Sequence, residues 1–321
     1  MASEITIRPY SNALRPGAPY KGEEILRDLK TIMQDFKPTK VFVSHPADYN
    51  VDHQALYLFT RVALWDLQAS CRPKLYPYLV HFPHWPLPQG EHPDQPLNPP
   101  LPLAGQIPWL ALTLGRQDVA FKLAALQAHK TQYEYSPRYL SSFVRSREIF
   151  GDFPDVHCAD TNMVAGHATG DGAELLTDEE RASFVGVEWR RVGWDDDAFS
   201  ITIEISRPLA ETVSASVHAC GYRADQAFGQ EPKLYIKIGA LDHDVYDQKR
   251  RLPDASVTVT RQRREISVRI PLRALGNPER VLTSARTYLG DVPLDTVAWR
   301  VVELGSHPKA AGQTPDQPAR P

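Results

Sequence analysis

The chain has 321 residues, 42% hydrophobic and 23% charged, with a formal net charge of −3. That is enough apolar material for two cores of ordinary size, while the charge balance and the lack of a long basic run exclude nucleic acid as the main partner. No apolar run reaches the about 18 residues a membrane span needs, and three scattered cysteines, Cys71, Cys158 and Cys220, form neither a disulfide framework nor a Cys-rich metal motif.

The first residues lack the apolar stretch of a signal peptide, so a cytoplasmic location is the expectation from this start. Residues 23–36 repeat Ile25, Leu29, Ile32, Met33 and Phe36 at helical spacing, and Pro38 stops that helix. Lys40–Ser44 reads as a strand that ends in SHPADYNVDH, a polar segment holding His45, Asp48, Asp52 and His53. Residues 52–68 read as the next helix, with Asp52 as its N-cap. Tyr76–Phe82 reads as a second buried strand. Nine prolines between 83 and 108 predict a long loop without regular structure. A helix is expected from Gln117 to Tyr133, with Phe121, Leu123, Ala125 and Leu126 on its apolar side, followed by a segment closing at Phe143–Gly151.

Residues 152–184 read as a linker. From about Glu188 the hydrophobic period changes to two, in runs such as FSITIEIS, KLYIKIG and EISVRIPL. Short alternating strands at this spacing predict an antiparallel β-sandwich over 185–305. The strand arginines Arg190, Arg191 and Arg300 read as solvated sheet faces. Trp189, Trp194, Trp299, Tyr222 and Tyr235 read either as core or as a stacking platform for sugars. The polar, proline-rich tail 306–321 is expected to be disordered.

A buried strand that delivers imidazoles and carboxylates at its carboxyl end, followed by a helix, is where open α/β sheets build ligand sites. Imidazole with carboxylate is also the donor set that suits zinc and neighbouring metals. Taken alone, His53 reads as an ordinary histidine at a helix start. His81, His84 and Trp85 flank the next strand end, where they either line a cleft or anchor the loop; His129 on the late helix faces either a cleft or solvent.

Three segments in order, FKPTKVFVSHPADYNVDHQALY, KLAALQAHKTQ (122–132) and VRSREIFG (144–151), resemble the carboxyl-terminal half of the PIG-L/LmbE-like N-deacetylases, over about residues 20–151. The resemblance implies a Rossmann-like α/β fold for residues 1–151 with its amino-terminal portion missing. It also implies zinc-dependent hydrolysis of the N-acetyl group of an amino-sugar or glycan derivative. His53 would be a metal ligand, and Asp52 and Asn50 the catalytic neighbours; Asn50 stands where several relatives carry a second histidine. His45, Asp48, His81, Trp85 and His129 are the expected substrate-side residues. The family's first motif, His-Pro-Asp-Asp, has two partial lookalikes here, His45-Pro46-Ala47-Asp48 and His92-Pro93-Asp94-Gln95. Neither reproduces it, so the expectation is a chain without the front of that domain. The closing strands of the β-rich half weakly resemble family-9 carbohydrate-binding modules. The competing expectations are a non-catalytic carbohydrate-binding or scaffold protein, and a metal-dependent hydrolase of another bond using His81, His84 or His92. Oligomeric state is not legible in the sequence.

Overall fold

The computed structural model describes residue 7, residues 10–157 and residues 177–304. Helix α1, Gly22–Phe36, buries Leu26 and Met33 and ends at Lys37, whose left-handed φ of 50° lets its N–H bond the Met33 carbonyl. Strand β1 (Lys40–Ser44), helix α2 (Val51–Asp66) and strand β2 (Lys74–Tyr78) form a parallel βαβ unit, in register from Lys40↔Lys74 to Ser44↔Tyr78. The second strand was expected over Tyr76–Phe82; its ladder stops at Tyr78. Beyond it, the amides of Val80 and His81 bond the Asp48 side chain instead of a neighbouring strand.

The proline-rich segment is ordered by burial and contains one short helix, α3 (Leu101–Ala104), where only a loop was expected. Trp85, Leu97, Leu103 and Ile107 pack with Phe143, Ile149 and Phe153. Strand β3 (Leu110–Thr113) pairs antiparallel with β4 (Arg147–Phe150). Between them the single helix expected from 117 to 133 divides at His129 into α4 (Arg116–Ala128) and α5 (Lys130–Tyr135), followed by α6 (Pro137–Ser141). Its supposed apolar side is not a core face: Val119 is buried, whereas Phe121 is 64% exposed.

Within the expected linker, β5 (Val156–His157) and α7 (Asp178–Ala182) are formed. Cys158 and the tail 306–321 lie outside the described residues. Ten strands follow. The first five are β6 (Val187–Trp194), β7 (Ala198–Ile205), β8 (Val213–Tyr222), β9 (Lys233–Ile238) and β10 (His243–Asp247). The others are β11 (Arg250–Leu252), β12 (Thr258–Gln262), β13 (Glu265–Pro271), β14 (Arg280–Leu289) and β15 (Val292–Glu303). They make a four-stranded sheet, β12-β13-β7-β6, and a seven-stranded one, β11-β10-β9-β8-β14-β15-β5. Alternate residues such as Ile201, Ile203 and Ile205 meet Val217, Leu234 and Ile236 in a shared apolar core, as period two requires. The α/β content and the antiparallel sheets both match the sequence reading.

The other face of the seven-stranded sheet is covered by α1 and α2. Leu26, Met33, Val62 and Trp65 pack against Tyr222, Leu282 and Val301. A polar seam runs beside this contact: Tyr57 Oη donates to Asp152, Arg61 pairs with Asp152 and Asp155, and Tyr222 Oη donates to Asp66 at 3.1 Å.

Two of the three arginines read as solvated are buried. The β14–β15 ladder slips between Thr283 and Ala285, and Arg190, 1% exposed, reaches across the sandwich to donate to the Thr283 and Ala298 carbonyls. Carbonyls that lose ladder partners at a bulge need such a donor. Arg300, 6% exposed, lies 3.0 Å from the Phe153 ring centroid. Arg191 is exposed, as expected.

Candidate metal centre

The parallel pairing of β1 with β2 brings the segments that leave both strands to one edge. His45 N continues the ladder to the Tyr78 carbonyl, and Tyr49 N reaches the His81 carbonyl at 2.7 Å. Asp48, 1% exposed, ties the two segments together. Its Oδ1 accepts from Asn50 N at 2.9 Å, and its Oδ2 accepts from Val80 N at 3.1 Å and His81 N at 3.0 Å. Helix α2 then starts with Asn50 as N-cap, its Oδ1 accepting from Asp52 N at 2.9 Å. Asp52, expected to cap, is instead an exposed residue of the first turn, two positions past the N-cap Asn50.

Asp48, His53 and His81 offer a carboxylate and two imidazoles whose nearest ligand atoms all lie within 4.8 Å of one another. His53 Nδ1 is 3.2 Å from Asp48 Oδ1 without the alignment of a hydrogen bond. That is how two groups facing a shared third partner stand. With ligand bonds of about 2.0–2.1 Å, tetrahedral donors sit about 3.4 Å apart, so the Asp48–His53 pair already has the needed spacing. Since all three lie within 4.8 Å of one another, the other pairs need to close by at most about 1.4 Å to reach that geometry. The His53 and His81 rings are 5.1 Å apart, and Tyr139 stacks on His81 while its hydroxyl donates to the Val80 carbonyl at 2.6 Å. Burial, with the Asp48 charge beside it, pushes the Tyr139 phenol up to about 12. It is a neutral wall at neutral pH.

The remaining sequence candidates fall elsewhere. His45 is fully buried, its Nδ1 accepting from Ala47 N at 2.9 Å, its ring between Trp109 and Phe153. Burial and the nearby Arg300 charge push it down to about 3. It holds the loop from inside rather than facing a substrate. Trp85 is a core residue, its indole donating to the Asn98 carbonyl at 2.8 Å. His129 is exposed at the α4–α5 junction, and His92 stays in the proline-rich loop, its Nε2 3.3 Å from the Gln89 carbonyl. His81 was read as a substrate-side residue, yet it stands in the cluster with His53. The signal for it was the strand–helix–strand order: where such strands pair in parallel, the residue just past the second strand returns to the edge where the first strand ended.

No family model and no curated protein matches the chain.

Proposed function

We propose that the Asp48–His53–His81 cluster binds zinc and that the chain hydrolyses the N-acetyl group of an amino-sugar derivative. The observation that carries this reading is the convergence of those three donors at the carboxyl edge of a parallel βαβ unit. Three protein ligands with a position left open is the arrangement of catalytic rather than structural zinc. The βαβ unit also agrees with a Rossmann-like layer, as the resemblance to PIG-L/LmbE-like deacetylases implies.

A zinc ion held there supplies Lewis acidity toward an amide carbonyl and acidifies water. The chain's own groups do the rest. Asn50 spends its Oδ1 on the helix cap, so its amide N–H is what it offers a developing oxyanion. Asp52, exposed in the first turn of α2, is the nearby carboxylate for proton transfer. Tyr139 closes the His81 side with an un-ionised phenol.

A second reading has one observation in its favour. Asp48 is the carboxylate of the cluster, and both its oxygens already accept backbone N–H groups. That leaves one lone pair on Oδ1 for a metal, and a ligand so committed to the backbone weakens the site, as suits a carbohydrate-binding or scaffold protein that no longer hydrolyses anything. Zinc titration by calorimetry, together with amine release from N-acetylglucosamine derivatives, separates the two. The hydrolase reading expects about one zinc per chain, lost in His53→Ala and His81→Ala, and amine release that is lost with it. Zinc binding without amine release selects the second reading, and no zinc binding removes the metal site altogether.

A further inference from the structure

Helices α1 and α2 do not cover the whole outer face of the seven-stranded sheet. Where they stop short of β9, β10 and β11, a cleft of about 1370 Å³ opens. Leu58 and Phe59 of α2 form one wall, Trp299 and Leu282 the floor, and Phe228 with the β10–β11 hairpin the far lip. None of these residues belongs to the Asp48–His53–His81 cluster, and the inference stands whether or not that cluster is catalytic.

The charge of this cleft is opposite to that of the chain. Six cationic side chains line it against two carboxylates, Glu23 and Asp247, in a protein whose formal net charge is −3. Three of the cations are paired: Lys30 with Asp66 at 2.9 Å, Arg27 with Glu24 and Arg250 with Asp247 at 3.4 Å each. The other three have no ion-pair partner among the described residues. Lys21 stands on the helix lip and Lys249 on the hairpin lip. Lys233 lies between them, its ammonium 4.4 Å over the Phe228 ring and donating to the Glu231 carbonyl at 3.0 Å. The N-terminus of α1 opens onto the same space, and its N-cap, Lys21, provides no side-chain cap. Unpaired cations on both lips of a concave, low-dielectric groove concentrate a positive field inside it.

Flat aromatic faces set among these cations fix the class of ligand. Trp299 and Phe59 line the cleft, and the Phe228 ring beside them carries the Lys233 ammonium over one face. Sugar rings stack on such faces, while carboxylate or sulfate groups on the sugars meet the lysines. The volume exceeds the 300–1,000 Å³ or so of an ordinary small-molecule pocket and suits several linked units. A nucleic-acid strand would run beyond the cleft onto a surface of net negative charge, which disfavours it. We infer that this cleft binds an acidic oligosaccharide, a chain of sugars carrying uronate or sulfate groups.

Calorimetric titration and Trp fluorescence of the full chain with hyaluronan- and heparin-derived octasaccharides test this directly, against neutral cellohexaose and an oligodeoxythymidylate. One or both acidic saccharides should bind at about 0.1 M salt and weaken strongly at 0.5 M, where screening shortens the reach of the lysines; which one binds tells uronate from sulfate. The paired charge reversal Lys21→Glu/Lys249→Glu should weaken binding at least tenfold with circular dichroism and melting unchanged. Both lysines are ion-pair-free and lie on the rim, so that variant keeps its fold. Trp299→Leu should abolish the fluorescence change. The inference is overturned if neither acidic saccharide binds, if cellohexaose binds as tightly, if the oligodeoxythymidylate binds tighter than either, or if the charge reversal leaves affinity unaltered.

Discussion

Arg286 of the sandwich donates to Gln54 Oε1 at 3.3 Å, and the same amide donates through Nε2 to the Asp48 carbonyl at 2.7 Å. Gln54 is 6% exposed, so these bonds are made away from solvent. One side chain thus connects strand β14 to the loop that carries the carboxylate of the candidate metal centre. Groups that steer a ligand loop from behind commonly affect metal affinity by 10–100-fold, roughly. Gln54→Leu is expected to weaken zinc binding about tenfold in competition titrations with a chromogenic chelator, and to lower the unfolding midpoint as well, because it leaves the Asp48 carbonyl and an Arg286 N–H unpaired. An unchanged affinity would show that the loop is held without this bridge.

His45 is expected to make the protein acid-sensitive. Its folded-state value is down at about 3, against about 6.5 in an unfolded chain, so the unfolded chain takes up the proton first. The stability it contributes is complete above about pH 6.5 and is lost progressively as pH falls toward 3, about 2 kcal/mol of it by pH 5. Asp152 acts in the opposite sense. Burial raises its carboxyl to about 6, so it destabilises the fold above that pH and recovers stability between about 6 and 4. His45→Asn keeps an acceptor for the Ala47 amide but does not titrate. Urea unfolding from pH 7 to 5 should therefore give a shallower loss of stability for this variant; an equal slope would assign the acid sensitivity elsewhere.

Tyr57 Oη donates to both oxygens of Asp152, at 2.8 and 2.9 Å, on the seam between the helices and the residues that lead into the sandwich. Tyr57→Phe keeps the ring and removes the donor. Loss of a buried bond to a charged acceptor costs about 1.5–3 kcal/mol, read as a lower urea midpoint. Since that bond also favours the ionised carboxylate, the destabilisation should shrink below pH 6 as Asp152 takes up its proton.

Gly221 is required by the approach of another segment rather than by its own backbone angles. A Cβ there would lie 2.1 Å from the Leu275 carbonyl oxygen, a backbone atom that cannot swing aside. Gly221→Ala is expected to cost about 2 kcal/mol or more, in the range of overpacked cores. Gly193, the last residue but one of β6, has open space around its Cβ position, and Gly193→Ala should be near neutral when both variants are compared by thermal melting.

Much of the fold was legible because it obeys periods the sequence displays. The alternation in FSITIEIS became the inward row Ile201, Ile203 and Ile205; of the helical repeat in α1, Leu29 and Met33 face the core while Ile32 and Phe36 stay exposed. What escaped is non-local. Arg190 looks like any strand arginine until a bulge between two strands about a hundred residues away leaves carbonyls for it to satisfy. The second strand ends early because Asp48, distant in sequence, takes the amides of Val80 and His81. His53 and His81 lie 28 positions apart, and only parallel pairing across α2 makes them neighbours. The segment 117–133 has a helical period, but no core arrived to receive Phe121.

The short ladder of β5 on β15, Val302↔Val156 and Glu303↔His157, lies along one margin of the seven-stranded sheet. The opposite margin is β11, a strand of only three residues with exposed Arg250 and Arg251. A sheet this broad would otherwise offer long rows of unpaired amides for another molecule to zip onto. One border is capped at its end by two residues of the chain's own connecting segment and the other is short and cationic, so the row of amides open to another molecule is shortened at both.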